Sequence, residues 1–405
     1  MNSVGIDISK GKSMVAAITM TKEVAVKPRE FEHTELGLEQ LLGVLAPLTL
    51  EGETRVIMEA TGRYHEIVAS TLYEAGIYVS VVNPLLIHDY GNNSIRCVKT
   101  DRKDALKIAR YGVDNWGELR EYTPVDSARQ LLKLLSRQYN QYMKVMVSQQ
   151  NNLIALLEKT FPGANDLFKS PRRDDGHQKW VDFVQVFWHS DCVIRLKEHE
   201  FIERYQKWCK RKGYNFSEDK AFDIYVYAAC CGYTLPKNSS TKALVSVAVE
   251  QVIACSKSVA AVKAEMLKIS AQMPEHNVVL SMFGVGDITA AQLIAEIGDV
   301  RRFNNRGALV AFAGLDPSTF QSGKYASKSG KTTKRGSAHL RKTLFQVVGT
   351  YLKRSPADEA VFQFLNRKRA EGKHFYVYMT AASNKFLRIY YARVRAFMES
   401  IDHNN

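Results

Sequence analysis

Apolar positions recur with two different periods along this chain, and the switch between them divides it. Near the start, "SVGIDISKGKSMVAAIT" reads as two strands joined by a Gly/Lys/Ser turn, a β-hairpin. "FEHTELGLEQLLGVLAPL" then takes up helical spacing, with Thr34 as its N-cap. "TRVIMEATGRYHEIVASTLYEAG" runs from a strand into a helix, and Glu59 closes that strand before a Thr-Gly turn. "IYVSVVNP" is a further strand stopped by Asn-Pro. "DRKDALKIARYG" is a helix that ends near Gly112. Strands alternating with helices predict an α/β domain around a central sheet.

Beyond it the period is helical throughout. Ala128, Leu132, Leu135, Tyr139, Tyr142, Met146, Gln149, Leu153 and Leu156 advance in steps of four and three, a heptad seam. A second helical stretch over 241–273 is placed to return antiparallel to it. The seam fits an intrachain hairpin or an oligomer contact equally. Between them lies a stretch dense in aromatics, including Trp180, Phe183, Phe187, Trp188, Tyr205 and Trp208. Aromatics beside lysines can stack bases, but helix core is the commoner use. "MFGVGDITAAQLIAEIGDVRRF" is a Gly-x-Gly turn before an amphipathic helix whose apolar side is Ile288, Ala291, Leu293, Ile294 and Ile297. It has the look of a helix-hairpin-helix element, in which Gly284 and Gly286 let backbone approach a phosphate. An ordinary turn entering a core helix fits as well. The tail "RAEGKHFYVYMTAASNKFLRIYYARVRAFM" reads as one helix with a basic outer face. The predicted organisation is an α/β domain over 1–125, a long coiled-coil helix over 126–160, an aromatic helical insert over 161–240, a return helix over 241–273 and a mainly α domain over 274–400.

Charge narrows the class of partner. Lys and Arg number 56 against 42 Asp and Glu, a formal net charge of +14. Such a surplus favours a polyanion, nucleic acid before membrane. Six cysteines form no C-x-x-C pair and fit neither a zinc ribbon nor a disulfide framework, which points to a reducing compartment. No signal-peptide core is read in "MNSVGIDISKGKS" and no apolar run approaches a membrane span, so a cytoplasmic protein is expected.

Two groups of residues carry candidate chemistry. Asp7 sits inside an apolar strand, Glu59 ends another, and Asp101 and Asp104 share one helix face at i and i+3. Acids at strand ends of such sheets face the functional crevice. Carboxylates are hard ligands suited to Mg²⁺ or Mn²⁺, ions that assist phosphodiester chemistry. Taken singly, each acid also fits a cap, a turn or a solvated helix face. The second group is "LDPSTFQSGKYASKSGKTTKRGSAHLRK", where serines and glycines are interleaved with Lys324, Lys328, Lys331, Lys334, Arg335, Arg341 and Lys342. That density of bases suits phosphate neutralisation rather than a bare linker.

"GIDISK", "MEATGRYHE" and "KTDRKDALKIAR" closely resemble the motifs of DEDD-type insertion-sequence transposases of the "IS one-ten" family, which includes the Piv-type DNA invertases. The segment from "GVGDITAAQLIAEIGD" through "FQSGK" to "KRGSAHLRKTL" resembles the family's C-terminal transposase domain. The resemblance covers about 1–159 and 272–398. It implies a RuvC-like (ribonuclease-H-like) N-terminal fold whose Asp7, Glu59, Asp101 and Asp104 bind divalent metal. It implies a serine nucleophile, by position Ser322, with Ser327, Ser329 and Ser337 as alternatives. It further implies double-stranded DNA substrates at element ends and target, a noncoding bridge RNA, and dimers that join into a tetramer, one protomer's acids meeting another's serine. A metal-dependent nuclease or Holliday-junction resolvase that uses water, and a non-catalytic nucleic-acid-binding protein, are the competing readings.

Overall fold

The computed structural model describes residues 1–60, 62–90, 100–124, 126–317, 321–322, 325–326 and 332–404, of which 321–322, 325–326 and 403–404 by backbone alone. The chain divides into two compact units, Met1–Asp126 and Ser127–Asn405.

The first unit is a five-stranded mixed sheet with helices, the α/β arrangement its periodicity predicts. Strands β1 (Asn2–Ser9), β2 (Lys12–Thr19), β3 (Val24–Glu32), β4 (Thr54–Glu59) and β5 (Tyr78–Val82) lie in the order β3-β2-β1-β4-β5. β2 is antiparallel to both neighbours, whereas β4 runs parallel to β1 and to β5. The helices are α1 (Glu35–Glu51), α2 (Tyr64–Glu74), α3 (Pro84–Asp89) and α4 (Asp101–Asp114). β1 is central and buried over most of its length, its polar Asn2 and Ser3 included. β3, an edge strand, alternates mostly exposed Lys, Arg and Glu with few apolar contacts. Its Pro28 falls where the pairing register slips, between Arg29 opposite Val15 and Val26 opposite Ala17, so no ladder bond is lost. Thr34 caps α1 by accepting from the Gly37 amide at 3.1 Å.

One backbone contact orders this unit. A Cβ added at Gly5 would lie 2.1 Å from the Ala105 carbonyl oxygen and 2.3 Å from the Ala109 nitrogen. Gly5 thus lets α4 lie directly on β1. The Ser3 hydroxyl donates to the Ala109 carbonyl at 2.7 Å. Gly112 does not end the helix, which runs on to Asp114. It is buried, and a Cβ there would lie 2.4 Å from both Ile57 Cδ1 and Ser3 Oγ.

The second unit is almost wholly helical. α5 (Ser127–Thr160) and α10 (Ser239–Ala271) are its two long members and pack side by side. They are antiparallel: Leu132 and Met266 share one core, Leu153 and Val249 another. The buried line of α5 also takes in Ser136, Asn140 and Leu157, because α12 covers its first half as well as α10. By length and composition α10 is apolar enough to cross a membrane, contrary to the sequence reading, yet its apolar residues serve the two cores. Between the long helices, α6 (Lys179–Val184), α7 (Asp191–Ile194), α8 (Glu198–Lys212) and α9 (Glu218–Cys230) enclose Phe183, Phe187, Phe201, Tyr205 and Trp208. The dense aromatics are core.

The remainder comprises α11 (His276–Leu280), α12 (Asp287–Ile297), α13 (Arg306–Ala313), a short hairpin of β6 (Gln321–Ser322) and β7 (Tyr325–Ala326), α14 (Ala338–Arg354), α15 (Ala360–Ala370) and α16 (Phe375–Asn404). α12 is not amphipathic, since every residue from Ala290 to Ile297 is buried. The tail is one helix from Phe375, preceded by the last two residues of α15 and a break at Gly372 with φ of 70°.

The α4–β1 contact gives a direct test. Gly5→Ala is expected to destabilise the chain by about 2–3 kcal/mol through overpacking, read as a lowered urea midpoint. Gly43→Ala, on the exposed side of α1 with nothing within 4 Å of the new Cβ, should be neutral or slightly stabilising.

Candidate catalytic site

The sheet brings the first two acids together. In the β1–β4 register Gly5 lies opposite Ile57 and Ile6 opposite Met58, so Asp7 and Glu59 follow at the same level. Side chains alternate along a strand, so Asp7 shares the face of Gly5, and Glu59 that of Ile57. Both of those residues face α4. Asp7 and Glu59 are therefore neighbours at the C-terminal ends of parallel strands, half-buried beneath α4.

The helix brings the other two. Ala105 lies over Gly5, while Ala109 reaches back to Ser3, so α4 runs opposite to β1. Its N-terminus points to the end of β1 that bears Asp7. Asp101 and Asp104 occupy that first turn, exposed and half-buried respectively. Thr100 caps it by accepting from the Lys103 amide at 3.4 Å. Acids in a first turn also offset the helix dipole. Asp101 acts electrostatically on Lys12 across the sheet, whose ammonium is raised first by its hydrogen bond and ion pair with Glu30 at 2.8 Å. Among the described residues no three His, Cys, Asp or Glu side chains are grouped tightly enough to hold a metal ion. The backbone brings the four hard oxygen donors to one end of the sheet.

In the second unit the basic loop has a rigid base. Gly314 and Gly336 meet back to back: a Cβ on Gly336 would lie 2.0 Å from the Phe312 carbonyl oxygen and 2.5 Å from the Gly314 nitrogen. The Thr333 hydroxyl donates to Asp316 at 2.7 Å, and Pro317 bridges Thr332. Arg341 Nη1 donates to the carbonyls of Ala313 at 3.0 Å and Gly336 at 2.9 Å, so this base helps to clamp the loop. Lys334 and Arg335 are exposed. Ser322 pairs with Tyr325 through its backbone at the tip of the β6–β7 hairpin. Lys324, Lys328, Lys331, Ser327 and Ser329 lie outside the described residues.

Ser337 has a different occupation. Its hydroxyl oxygen accepts from the Leu340 amide at 3.1 Å, which caps α14, and the hydroxyl donates to Glu296 at 2.9 Å. Glu296 is buried on α12 and paired with Arg137 of α5 at 3.0 Å. Burial pushes its carboxyl up, but Arg137, Ser337 and Lys133 outweigh that and hold it below the ordinary carboxylate range. Sequence reading missed this link, because no local pattern joins residues 137, 296 and 337. In the turn before α12, Gly284 with φ of 81° lies against the Tyr351 ring and the Val347 carbonyl, which explains its glycine by packing. Gly286 is exposed, and its amide donates to Thr289 at 2.8 Å.

Two family models match the chain. Residues 4–162 match a family described as "Transposase", of the DEDD type, and residues 276–363 match "Transposase IS116/IS110/IS902 family". The chain is 25% identical over 398 residues to a pilin gene-inverting protein of Moraxella lacunata, covering 97% of this chain and 95% of that one. It is 23% identical over 400 residues to an uncharacterized insertion-element IS110 protein of Streptomyces coelicolor, covering 98% and 95%. Among solved structures it matches Thermus thermophilus RuvC at 14% identity and a TM-score of 0.23, over 30% of this chain and all of that one. The protein is an enzyme of DNA transposition and recombination. It belongs to the IS110 family of DEDD transposases.

Two outcomes follow for the α12–α14 link. Ser337→Ala should cost about 1 kcal/mol of stability as a lost cap. Glu296 has a folded pKa below its unfolded value, so its contribution is complete above about pH 4.3 and is lost as pH falls through the folded value. Urea midpoints measured from pH 6 to pH 3 should therefore fall less steeply in Glu296→Gln than in the parent chain.

Proposed function

We propose that this transposase cuts and rejoins DNA with a serine nucleophile, Ser322, assisted by a carboxylate metal site of Asp7, Glu59, Asp101 and Asp104. The observation that carries the reading is the convergence of those four positions on one end of the sheet, from two parallel strands and an antiparallel helix. The donor set is all carboxylate, which fits Mg²⁺ or Mn²⁺ rather than a softer ion. Such ions, when bound, neutralise phosphate charge and lower the pKa of a bound hydroxyl.

The serine step balances without ATP. Ser322 Oγ bonds to a DNA phosphorus and the bond to the 3′-oxygen breaks. The serine gives up its proton, and the released 3′-oxygen gains one. The phosphoserine link keeps the energy of the phosphodiester, so a new 3′-hydroxyl can reverse the step on the exchanged strand. Lys324, Lys334, Arg335 and Arg341 take the phosphate backbone beside the serine, and the Gly284–Gly286 turn contacts a further phosphate. The fold of the N-terminal unit in this reading is RuvC-like, and the turn before α12 is half of a helix-hairpin-helix. The substrates are double-stranded DNA at the element ends and the target. A noncoding bridge RNA chooses sequences by base pairing. The protein works in the cytoplasm as dimers that join into a tetramer, with the acids of one protomer serving the serine of another.

The test is Ser322→Ala on element-end DNA. Denaturing gels should show a covalent protein–DNA adduct with the parent chain and none with the variant. Asp104→Ala should lower adduct formation by at least about 10³-fold, in line with loss of a catalytic member. Undiminished strand cleavage by Ser322→Ala would instead mark a nuclease that uses water.

A further inference from the structure

The loop base described above forms one wall of a cavity of about 920 Å³. Pro317 and Thr332, the bridge beneath the β6–β7 hairpin, belong to that wall. The opposite wall is the start of α16, where Tyr376 and Val377 line the cavity while remaining 64% and 52% exposed. Phe345 adds a second aromatic, and Lys334, Arg341 and Lys342 supply charge. Lys342 Nζ donates to Asn140 at 2.6 Å, and burial, with Lys144 nearby, lowers its pKa.

A second groove of about 570 Å³ continues from the first. The two share Ala381 and Asn384 on α16. The second is lined by Arg306, Lys385, Arg388 and Arg393, and no acid lines either among the described residues. Tyr376 and Arg393 lie about 25 Å apart along the helix axis at 1.5 Å per residue, and the lining winds around the helix between them. An aromatic cavity followed by a cationic track has the two parts that single-stranded nucleic acid requires, a stacking platform and a phosphate path. A double helix hides the faces of its bases and would leave the cavity empty.

We propose that this face of α16 holds one unpaired DNA strand flanking the phosphate that is attacked. One base stacks on Tyr376 in the cavity, and successive phosphates follow Lys385, Arg388 and Arg393. The choice of DNA over RNA rests on the reading that the adjoining hairpin bears the nucleophile. A strand held there keeps an opened DNA end beside the serine during exchange.

The experiment is fluorescence anisotropy of the full chain with a labelled 12-nucleotide single-stranded DNA, its duplex and the RNA of the same sequence. Single-stranded DNA should bind, and its affinity alone should depend on the cavity. Tyr376→Ala should weaken it at least about tenfold, as expected for one lost stacking contact, with an unchanged salt slope. Tyr376→Phe should restore it. Arg388→Ala should reduce the slope of log K against log[salt] by about 0.7. Ala381→Trp, which fills the cavity, should match Tyr376→Ala, and circular dichroism melts of all variants should overlay that of the parent. Equal affinity of Tyr376→Ala and the parent for the single strand, or an equal loss of affinity for the duplex or the RNA in that variant, would overturn the proposal. Ser322→Ala should bind as the parent does, so failure here is separable from failure of the serine mechanism.

Discussion

The close approach of α4 to β1 is the constraint on which the first unit depends. Two backbones meet at Gly5 with no room for a methyl group. That contact fixes the height of the helix above the sheet. The Ser3–Ala109 hydrogen bond and the fit of Gly112 against Ile57 fix its slide and rotation. Once these are set, the first turn of α4 has one place to go, the end of the sheet where Asp7 and Glu59 emerge. Acids that are far apart in sequence become neighbours through contacts that contain no acid. The flanking bases then have a simple reason to be there. In the proposed function these carboxylates meet a phosphate backbone, and the bases Arg102, Lys103 and Arg110, exposed on the same helix, offset the repulsion between them.

The second unit solves a related problem by other means. A loop crowded with bases repels itself and gains little from its own packing. Here its two ends are joined by Gly314 against Gly336, by Thr333 on Asp316 and by the Arg341 clamp. The base of the loop is tied in turn to the helical core through Ser337, Glu296 and Arg137, which link α14, α12 and α5. Functional loops are commonly presented on such rigid supports. The support also explains why α12 is buried on all sides, with Gln292 and Glu296 inside it: both are polar because they have partners there.

Much of this was legible in the sequence, and the gaps have physical causes. Period-two and period-3.6 patterns showed the strands and helices of the first unit because each buries one face or two. β3 escaped notice because it is an edge strand, with too few buried positions to leave a pattern and a proline at its register slip. α4 ends at Asp114, near Gly112 as read, but that glycine itself serves close packing. α12 was read as amphipathic from its isoleucines and leucines, although its polar residues are buried too. The acids could be picked out by their places at strand ends and on one helix turn. The Glu296 link, and the cavity walled by Tyr376, could not, because each joins elements separated by tens to hundreds of residues. The exposed run Phe375, Tyr376, Val377 was the only local sign of the latter.

The central claim is that Asp7, Glu59, Asp101 and Asp104 act as one divalent-metal site. Titration of the full chain with Mn²⁺, followed by electron paramagnetic resonance of the free ion, tests it without any DNA. The account predicts saturable binding that is lost in Asp7→Asn and in Asp104→Asn alike, although these residues lie on a strand and a helix distant in sequence. Binding that survives both substitutions unchanged would contradict it.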